Sequence, residues 1–248
     1  MSHEPHAACT DLGPRHRRAR TGSRGHRPGI ARNPLAWSER SCFYWWLTQV
    51  SKGDITREAV LREALAQASR VGLRGITIGG LADAMEMSKS GLFAHFRSKE
   101  GLQAAVLDYA TDAFVRLVIH PALKAPRGEP RLRTLFERWL AWDGFGELAL
   151  PGGCVFIAVT TEFDDEPDGP LRDRIVRIQR DFLDTIETII RSGVSEGHFR
   201  DDADSAQAAH ELYGIMLGHH FAARLMRDPA ASARAHTAFE HLLDTLRA

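Results

Sequence analysis

The sequence predicts an all-α chain, with an N-terminal three-helix unit holding a helix-turn-helix and a larger helical domain after it. Three observations predict this. Apolar residues recur at steps of three and four through most of the chain beyond Asp54. Ser or Thr stands just before three such segments, at Thr77, Ser88 and Ser98. The one strongly β-branched run, Cys154–Thr161 (CVFIAVTT), has no second run to pair with, so it reads as a buried helix.

The elements follow in order. The first helix sets Val60, Leu61, Ala64, Leu65, Ala68 and Val71 against Arg57, Glu58, Arg62, Glu63 and Arg70, and closes at Gly72, where chains often turn left-handed. Thr77 caps a second helix with the apolar face Ile78, Leu81, Ala82 and Met85. After a break at Glu86-Met87, Ser88 caps a third, in which Leu92 and Phe96 stand one turn apart. Ser98 caps a fourth, with Glu100 in its first turn; it runs through Leu102, Val106, Tyr109, Phe114 and Leu117 and stops near His120-Pro121. Helices of two turns are unstable alone. The second and third therefore pack on the first as a helix-turn-helix.

The remainder continues in the same period. Leu132, Leu135, Phe136, Trp139, Leu140 and Trp142 form one stripe, and Pro151-Gly-Gly153 breaks the chain. Leu171, Ile175, Ile178, Phe182, Ile186 and Ile189 mark a long helix ending near Gly193. Asp202 or Asp204 caps the next, through Leu212, Met216, Phe221 and Leu225 to a stop at Asp228-Pro229. Phe239, Leu242, Leu243 and Leu246 stripe the last.

Composition narrows the class. The 248 residues hold 44% apolar residues, an ordinary globular share, with 32 Lys and Arg balancing 32 Asp and Glu. No run of 18 apolar residues offers a membrane span. Cys9, Cys42 and Cys154 lie far apart, which fits neither a disulfide framework nor a zinc site and suits a reducing cytoplasm. The zero net charge hides a split. Residues 1–53 carry nine basic residues against three acidic, +6, so the remainder carries −6. Rich in Arg, Gly, Pro and Ser, 1–53 reads as a basic, disordered extension. It is an arm attracted to phosphates, an inert tail, or an over-long gene start with translation beginning near Val50. The expected domains are 54–101, a helix-turn-helix unit that is barely basic (seven Lys and Arg against six Asp and Glu), and 102–248.

In a helix-turn-helix the second short helix lies in the major groove with its N-terminal side chains at base edges. Here it opens at Ser88 and presents Lys89, Ser90, Gly91, Phe93 and Ala94, while Leu92 and Phe96 turn to the core. Lys89 suits guanine O6 and N7 or a phosphate. Gly91 leaves room for the backbone to approach, and Phe93 offers apolar contact to a thymine methyl.

Val60-Leu61, Ala64-Leu65, Gly72, Thr77, Leu81-Ala82, Ala84, Met87-Ser88-Lys89, Leu92-Phe93, His95-Phe96 and Ser98-Lys-Glu100 together resemble, over 56–102, the DNA-binding domain of the TetR family of bacterial transcriptional regulators. The segments Gly153-Cys-Val-Phe156, Glu162-Phe-Asp-Asp165 and Pro170-Leu-Arg-Asp173 look like one branch of its C-terminal domain. The resemblance implies a ligand-responsive repressor in the cytoplasm, acting as a homodimer on a near-palindromic double-stranded operator and released by a small-molecule effector. It implies phosphate contacts from Thr77, His95 and Lys99. It also implies that the helices at 203–227 and 232–247 form a four-helix bundle with a second copy, with Ala206, Ala209, Gly214 and Gly218 allowing close approach. The chain departs from the family at four places: Glu86 stands where Gly is usual, Gly80 where an acidic residue is common, Phe93 for the usual Tyr, and Gly91 where Thr or Ala is common.

For the effector, Trp139, Trp142, Phe156, Phe163, Phe182, Tyr213 and Met216 lie on different helices and are candidates to line an apolar cavity. No cofactor, metal or catalytic residue is expected. Gly193-Val-Ser195-Glu-Gly197 matches G-x-S-x-G but follows a helix, whereas a nucleophile elbow follows a strand. His219 and His220 are adjacent and project to different faces. Cys154 reads as a small buried hydrophobe, with an oxidant-sensing thiol as the other reading. The alternative function is a helical small-molecule-binding or interaction protein of the same fold that has lost DNA binding, motivated by Gly80, Glu86 and Phe93.

Overall fold

The computed structural model describes residues 52–146, 148 and 150–248, with side chains from Arg57 onward. Of the expected disordered extension 1–53, residues up to 51 lie outside the described residues, whereas Lys52 and Gly53 open the first helix. Among them, the chain forms nine helical rods. α1 spans Lys52–Gly75, broken at Gly72, whose φ of 75° ends the regular helix. α2 (Ile78–Ala84) and α3 (Lys89–Phe96) are the short pair. α4 is an α-helix over Lys99–Phe114, passes through a π-turn at Val115–Ile119, and ends as His120–Lys124. α5 spans Glu129–Leu140, α6 Val155–Glu162 and α7 Pro170–Ser195. α8 spans Ser205–His220 with a terminal π-turn at Phe221–Leu225, and α9 spans Ala231–Leu246.

The expected caps are made. Thr77, Ser88 and Ser98 each have an extended backbone, and each hydroxyl accepts the N–H three residues on, from Gly80, Gly91 and Gly101 at 3.0, 3.1 and 3.0 Å. Asp204, rather than Asp202, caps α8, accepting from the amides of Ala206 and Gln207. Of the run Cys154–Thr161, Cys154 is the extended cap and the rest is helical: Val155, Phe156, Ile157 and Val159 of α6 are buried, because packing overrides the strand preference of β-branched residues.

The expected stop at His120-Pro121 is not a stop. The rod continues to Lys124. Proline lacks the N–H that a helix interior needs and crowds the preceding turn. The π-turn just before it widens the backbone, with the His120 amide reaching back to the Val115 carbonyl, and absorbs that crowding.

Two layers result. In the head, Leu65, Leu81, Ala82, Leu92 and Phe96 form a small core where α2 and α3 close on α1. In the body, α8 packs against α7 and α9, and α1 is held by both α4 and α6. The approach of α1 to the body is tight at Gly152: its N–H donates to Ser69 Oγ at 3.0 Å, and a Cβ there would collide with the Ser69 carbonyl.

The turn between α2 and α3 closes as a Schellman motif, with the Met87 amide reaching the Ala82 carbonyl at 2.9 Å. Glu86 occupies its left-handed position at φ 53°. A non-glycine residue there costs about 1–2 kcal/mol, and glycine gives part of that back through unfolded-chain entropy. Glu86→Gly is expected to stabilise the protein by about 0.5–1 kcal/mol, read as a rise in urea midpoint with an unchanged m-value.

At the far end, the Glu129 carboxylate accepts from Arg247 and Arg133, and Arg133 also pairs with Glu240, tying the start of α5 to α9. The Arg247 hydrogen bonds above all, then Arg133, hold the Glu129 carboxyl at about 2. A carboxyl lowered on folding contributes its stability above its unfolded value of 4.5 and loses it as pH falls through about 2. Glu129→Gln is expected to lower Tm at pH 7, with the gap from the parent protein closing between pH 4.5 and 2 in thermal melts.

Candidate functional site

The head presents the predicted contact surface. Thr77, Ser88, Lys89, Ser90, Phe93, Ala94, His95 and Lys99 are all exposed and Gly91 is half-buried, whereas Leu92 and Phe96 are buried. Phe93 is 53% exposed, unusual for a large aromatic on a two-turn helix whose other aromatic is core. The Lys89 ammonium end lies over Gly79, 3.7 Å from where a Cβ would stand, so the third helix's first cation leans across the start of α2. Its own backbone amide at the start of α4, then the Ser98 hydroxyl, hold the Glu100 carboxyl below the usual range. Lys99 has a role the sequence did not reveal: its Nζ donates to the Arg74 carbonyl at 2.6 Å, tying α4 to the end of α1. Gly101 is needed for packing, since a Cβ there would strike the Phe96 carbonyl.

The head is fastened to the body at the same place. The Glu162 carboxylate, at the C-terminus of α6, accepts the Leu73 amide at 2.9 Å and the Arg74 amide at 2.5 Å. These amides follow the break at Gly72. Gln103 of α4 donates to the Leu73 carbonyl at 2.8 Å from a buried position. The Arg74 guanidinium pairs with Glu166 and lies 5.4 Å from the centre of the Phe163 ring. A side chain at Gly72 would run into the Glu162 carboxylate, so Gly72 serves the turn and the contact together.

The body holds an apolar cavity of about 140 Å³ between α4, α5, α6, α7 and α8. Four of the seven predicted residues line it: Trp139, Phe156, Phe182 and Tyr213. Trp142 and Met216 lie instead on a smaller cavity of about 30 Å³ beside Cys154, His219 and His220. Phe163 lies elsewhere, beneath Arg74 at the head junction. Phe114 is the residue sequence reasoning passed over. Its ring meets those of Trp139, Trp142, Phe156 and Phe182 edge to face, with centroids 5.1–6.5 Å apart. In the sequence it is one position in the stripe of α4.

The cavity's polar groups are few and mutually bonded. Gln179 donates to the Phe156 carbonyl at 2.8 Å and accepts the Tyr213 hydroxyl at 2.8 Å. Burial raises the Tyr213 phenol above its ordinary value, so it stays a neutral donor. The mouth lies between α4 and α7, where Thr111, Val115, Ile119 and Thr185 are half-buried and Asp181 is exposed. The π-turn of α4 thus contributes two residues, Val115 and Ile119, to this lining.

The remaining candidates have structural places. Ser195 donates to the Arg191 carbonyl within α7, and Gly193 is covered by Phe199. Cys154 is buried, and burial pushes its thiol up to about 11, which keeps it protonated and a poor nucleophile at neutral pH. No group of three or more metal-ligating side chains assembles among the described residues, nor is any helix among them long and apolar enough to cross a membrane. Ala209 faces the chain's own core, whereas Ala206, Gly214 and Gly218 are exposed.

Comparison with known proteins agrees with this anatomy. The family described as bacterial regulatory proteins, tetR family, matches residues 60–106, and the tetracyclin repressor-like C-terminal domain matches 128–239. A TetR-family regulator from Cytophaga hutchinsonii superposes with a TM-score of 0.68 at 21% identity, covering 80% of this chain and 98% of that one. A TetR regulator from Chloroflexus aurantiacus gives 0.68 at 25% identity, covering 78% and 94%. AibR, solved in complex with isovaleryl coenzyme A and operator DNA, gives 0.56 at 21% identity, covering 72% and 95%. The curated proteins give no match. With an N-terminal and a C-terminal domain of one family matched in order on an all-helical fold, the chain belongs to the TetR family of bacterial transcriptional regulators.

Proposed function

We propose that this regulator is a cytoplasmic, ligand-responsive repressor that grips a near-palindromic operator as a homodimer and lets go when a small molecule fills the body cavity. Residues 54–101 serve as the DNA-binding domain and 102–248 as the sensing and dimerising domain. The observation that carries the reading is the surface of α3. Lys89, Ser90, Phe93 and Ala94 stand exposed while Leu92 and Phe96 anchor the same helix. Lys89 reads guanine or phosphate, Phe93 packs on a thymine methyl, and Gly91 lets the backbone close in. Thr77, Ser88 and His95 sit at phosphates and fix register. Lys99 contributes there with the donors its bond to Arg74 leaves over.

A head this weakly basic needs two copies. α8 offers the surface: Gly214, Leu217, Gly218, Phe221 and Leu225 recur at helical spacing, and all are exposed. A Cβ at Gly214 or Gly218 would meet open space, so a second helix can come close. Two heads so joined match half-sites about 34 Å apart, or a multiple.

Release requires the ligand to prefer one arrangement of the heads. Two rods reach from cavity to head. α4 carries Phe114 and Val115 at the cavity and Lys99 and Gln103 at the end of α1. α6 carries Phe156 at the cavity and Glu162 on the Leu73 and Arg74 amides. A ligand that shifts either rod moves the base of the head.

Fluorescence anisotropy with a duplex from the regulator's own upstream DNA tests the reading. Salt-dependent binding is expected, with Lys89→Ala costing about 1–3 kcal/mol. Phe93→Tyr, which restores a hydroxyl toward the phosphate backbone, is expected to tighten binding severalfold, about 0.5–1.5 kcal/mol. Absence of binding at low salt would leave the alternative, a binding protein of this fold without DNA. In light scattering the parent chain is expected to be a dimer and the Phe221→Glu, Leu225→Glu double variant a monomer.

A further inference from the structure

We propose that the effector is an amphipathic anion, a small apolar acyl-sized group carried on a phosphate-bearing head, with the apolar end in the body cavity and the head in an arginine-lined groove beside it. The inference rests on the sensing role given above to the cavity and goes further, to the chemical class that fits.

The cavity sets the tail. At about 140 Å³ it is near the size of an apolar void that holds benzene, roughly 150 Å³, so it takes a group of about five or six carbons. It also rejects charge. No Lys, Arg or His lines it; its one ionisable acid, Asp181, is at the exposed rim; and its Gln179 and Tyr213 are bonded to each other. An anion drawn inside would lose its hydration with nothing to replace it. Negative charge on a ligand must therefore sit outside.

A groove of about 550 Å³ adjoins the mouth and shares Thr185 with the cavity. It continues along the same seam between α4 and α7, from Ile119 to Leu123 on one side and from Thr185 through Thr188 to Ser195 on the other. Arg127, Arg131 and Arg191 line it, against one acid, Asp184. Arg127 and Arg191 pair with Glu196 and Glu187, but these are surface pairs with the guanidiniums 61% and 56% exposed, and exposed pairs of this kind are worth little. Arg131 spends Nε and one Nη on the Ala125 carbonyl, which fixes the guanidinium while its other donors stay available. Planar guanidiniums on a shallow, wet surface are suited to phosphate oxygens. Leaving in the other direction, past Gln179, a ligand would have to break the hydrogen bonds to Phe156 and Tyr213 that close that wall. Leu123, 44% exposed at the groove edge, offers apolar contact to a linker between tail and head.

Isothermal titration calorimetry on the full chain tests this with three probes: isovaleryl coenzyme A, coenzyme A alone, and ethyl thioisovalerate, an uncharged tail without the head. The thioester with its phosphate head is expected to bind at least tenfold tighter than either part, and to weaken as salt rises. The Arg127→Ala, Arg191→Ala double variant is expected to lose at least tenfold for isovaleryl coenzyme A and nothing for ethyl thioisovalerate, which also shows that the variant is folded. Equal affinity for the charged and uncharged thioesters, equal affinity for coenzyme A with and without its acyl group, or an unchanged double variant would each overturn the proposal. Operator binding in the anisotropy assay is independent of these results. If it persists while the three-probe pattern fails, the ligand class is wrong and the regulator reading stands. If it is absent, the regulator reading fails whatever the calorimetry gives.

Discussion

One carboxylate sets how this molecule is put together. Glu162 ends α6 and accepts the two amides that follow the break of α1 at Gly72. The Leu73 amide is part-buried, and a buried backbone N–H left without a partner costs about 1–3 kcal/mol, so this contact answers the break as much as it is offered by the acid. The other side of the same peptide stretch is held by α4, through Gln103 on the Leu73 carbonyl and Lys99 on the Arg74 carbonyl. Donors and acceptors of one short connection are thus divided between the two rods that also wall the cavity. A head attached by loose apolar contact would slide over the body without reporting on it. A head attached by four directional hydrogen bonds must follow when either rod moves.

What could be read from sequence divides along the range of the interaction. Thr77, Ser88 and Ser98 were legible because a cap joins a residue to its own neighbour three positions on, and the chain carries both partners. The turn at Glu86 was legible only as a break in the apolar pattern where the family usually places Gly; its left-handed backbone is seen in the structure. The helical state of Val155–Thr161 was legible only by elimination, since its β-branched residues favour a strand and the burial of Val155, Phe156, Ile157 and Val159 decides otherwise. The failure at Pro121 is instructive: the rule that proline ends a helix assumes a regular turn before it, and the π-turn at Val115–Ile119 removes the assumption.

The junction and the cavity were illegible because their partners are far apart in the chain. Glu162 and Leu73 are 89 residues apart, and neither is unusual in its own helix. Gln179 reads as one more polar residue on the half-wet α7, yet it bridges Phe156 and Tyr213. Aromatic residues could be counted but not sorted. Trp142 and Met216 stand one layer behind Trp139, and Phe163 went to the head junction, because helix rotation decides which of several neighbouring rings meets a void. Phe114 is the opposite case, an ordinary stripe residue that becomes a centre when α5, the turn just after it, α6 and α7 each bring a ring to it.

The departures from the family pattern bear on how the proposed switch is balanced. With Phe93 lacking a hydroxyl and one Lys99 donor already spent on the Arg74 carbonyl, the head offers fewer phosphate donors than its relatives' pattern supplies. Weak heads do not make a weak regulator. Coupling between two sites on a protein is commonly about 1–3 kcal/mol, enough to change affinity by roughly 5- to 150-fold. Such a factor empties an operator only if binding without ligand is not far above what occupancy requires. A head with many more charge contacts would stay bound through a change of that size. In the proposed switch the modest head and the hydrogen-bonded junction are matched: the first would keep operator affinity within reach of the cavity, and the second would carry what happens in the cavity to the base of α1.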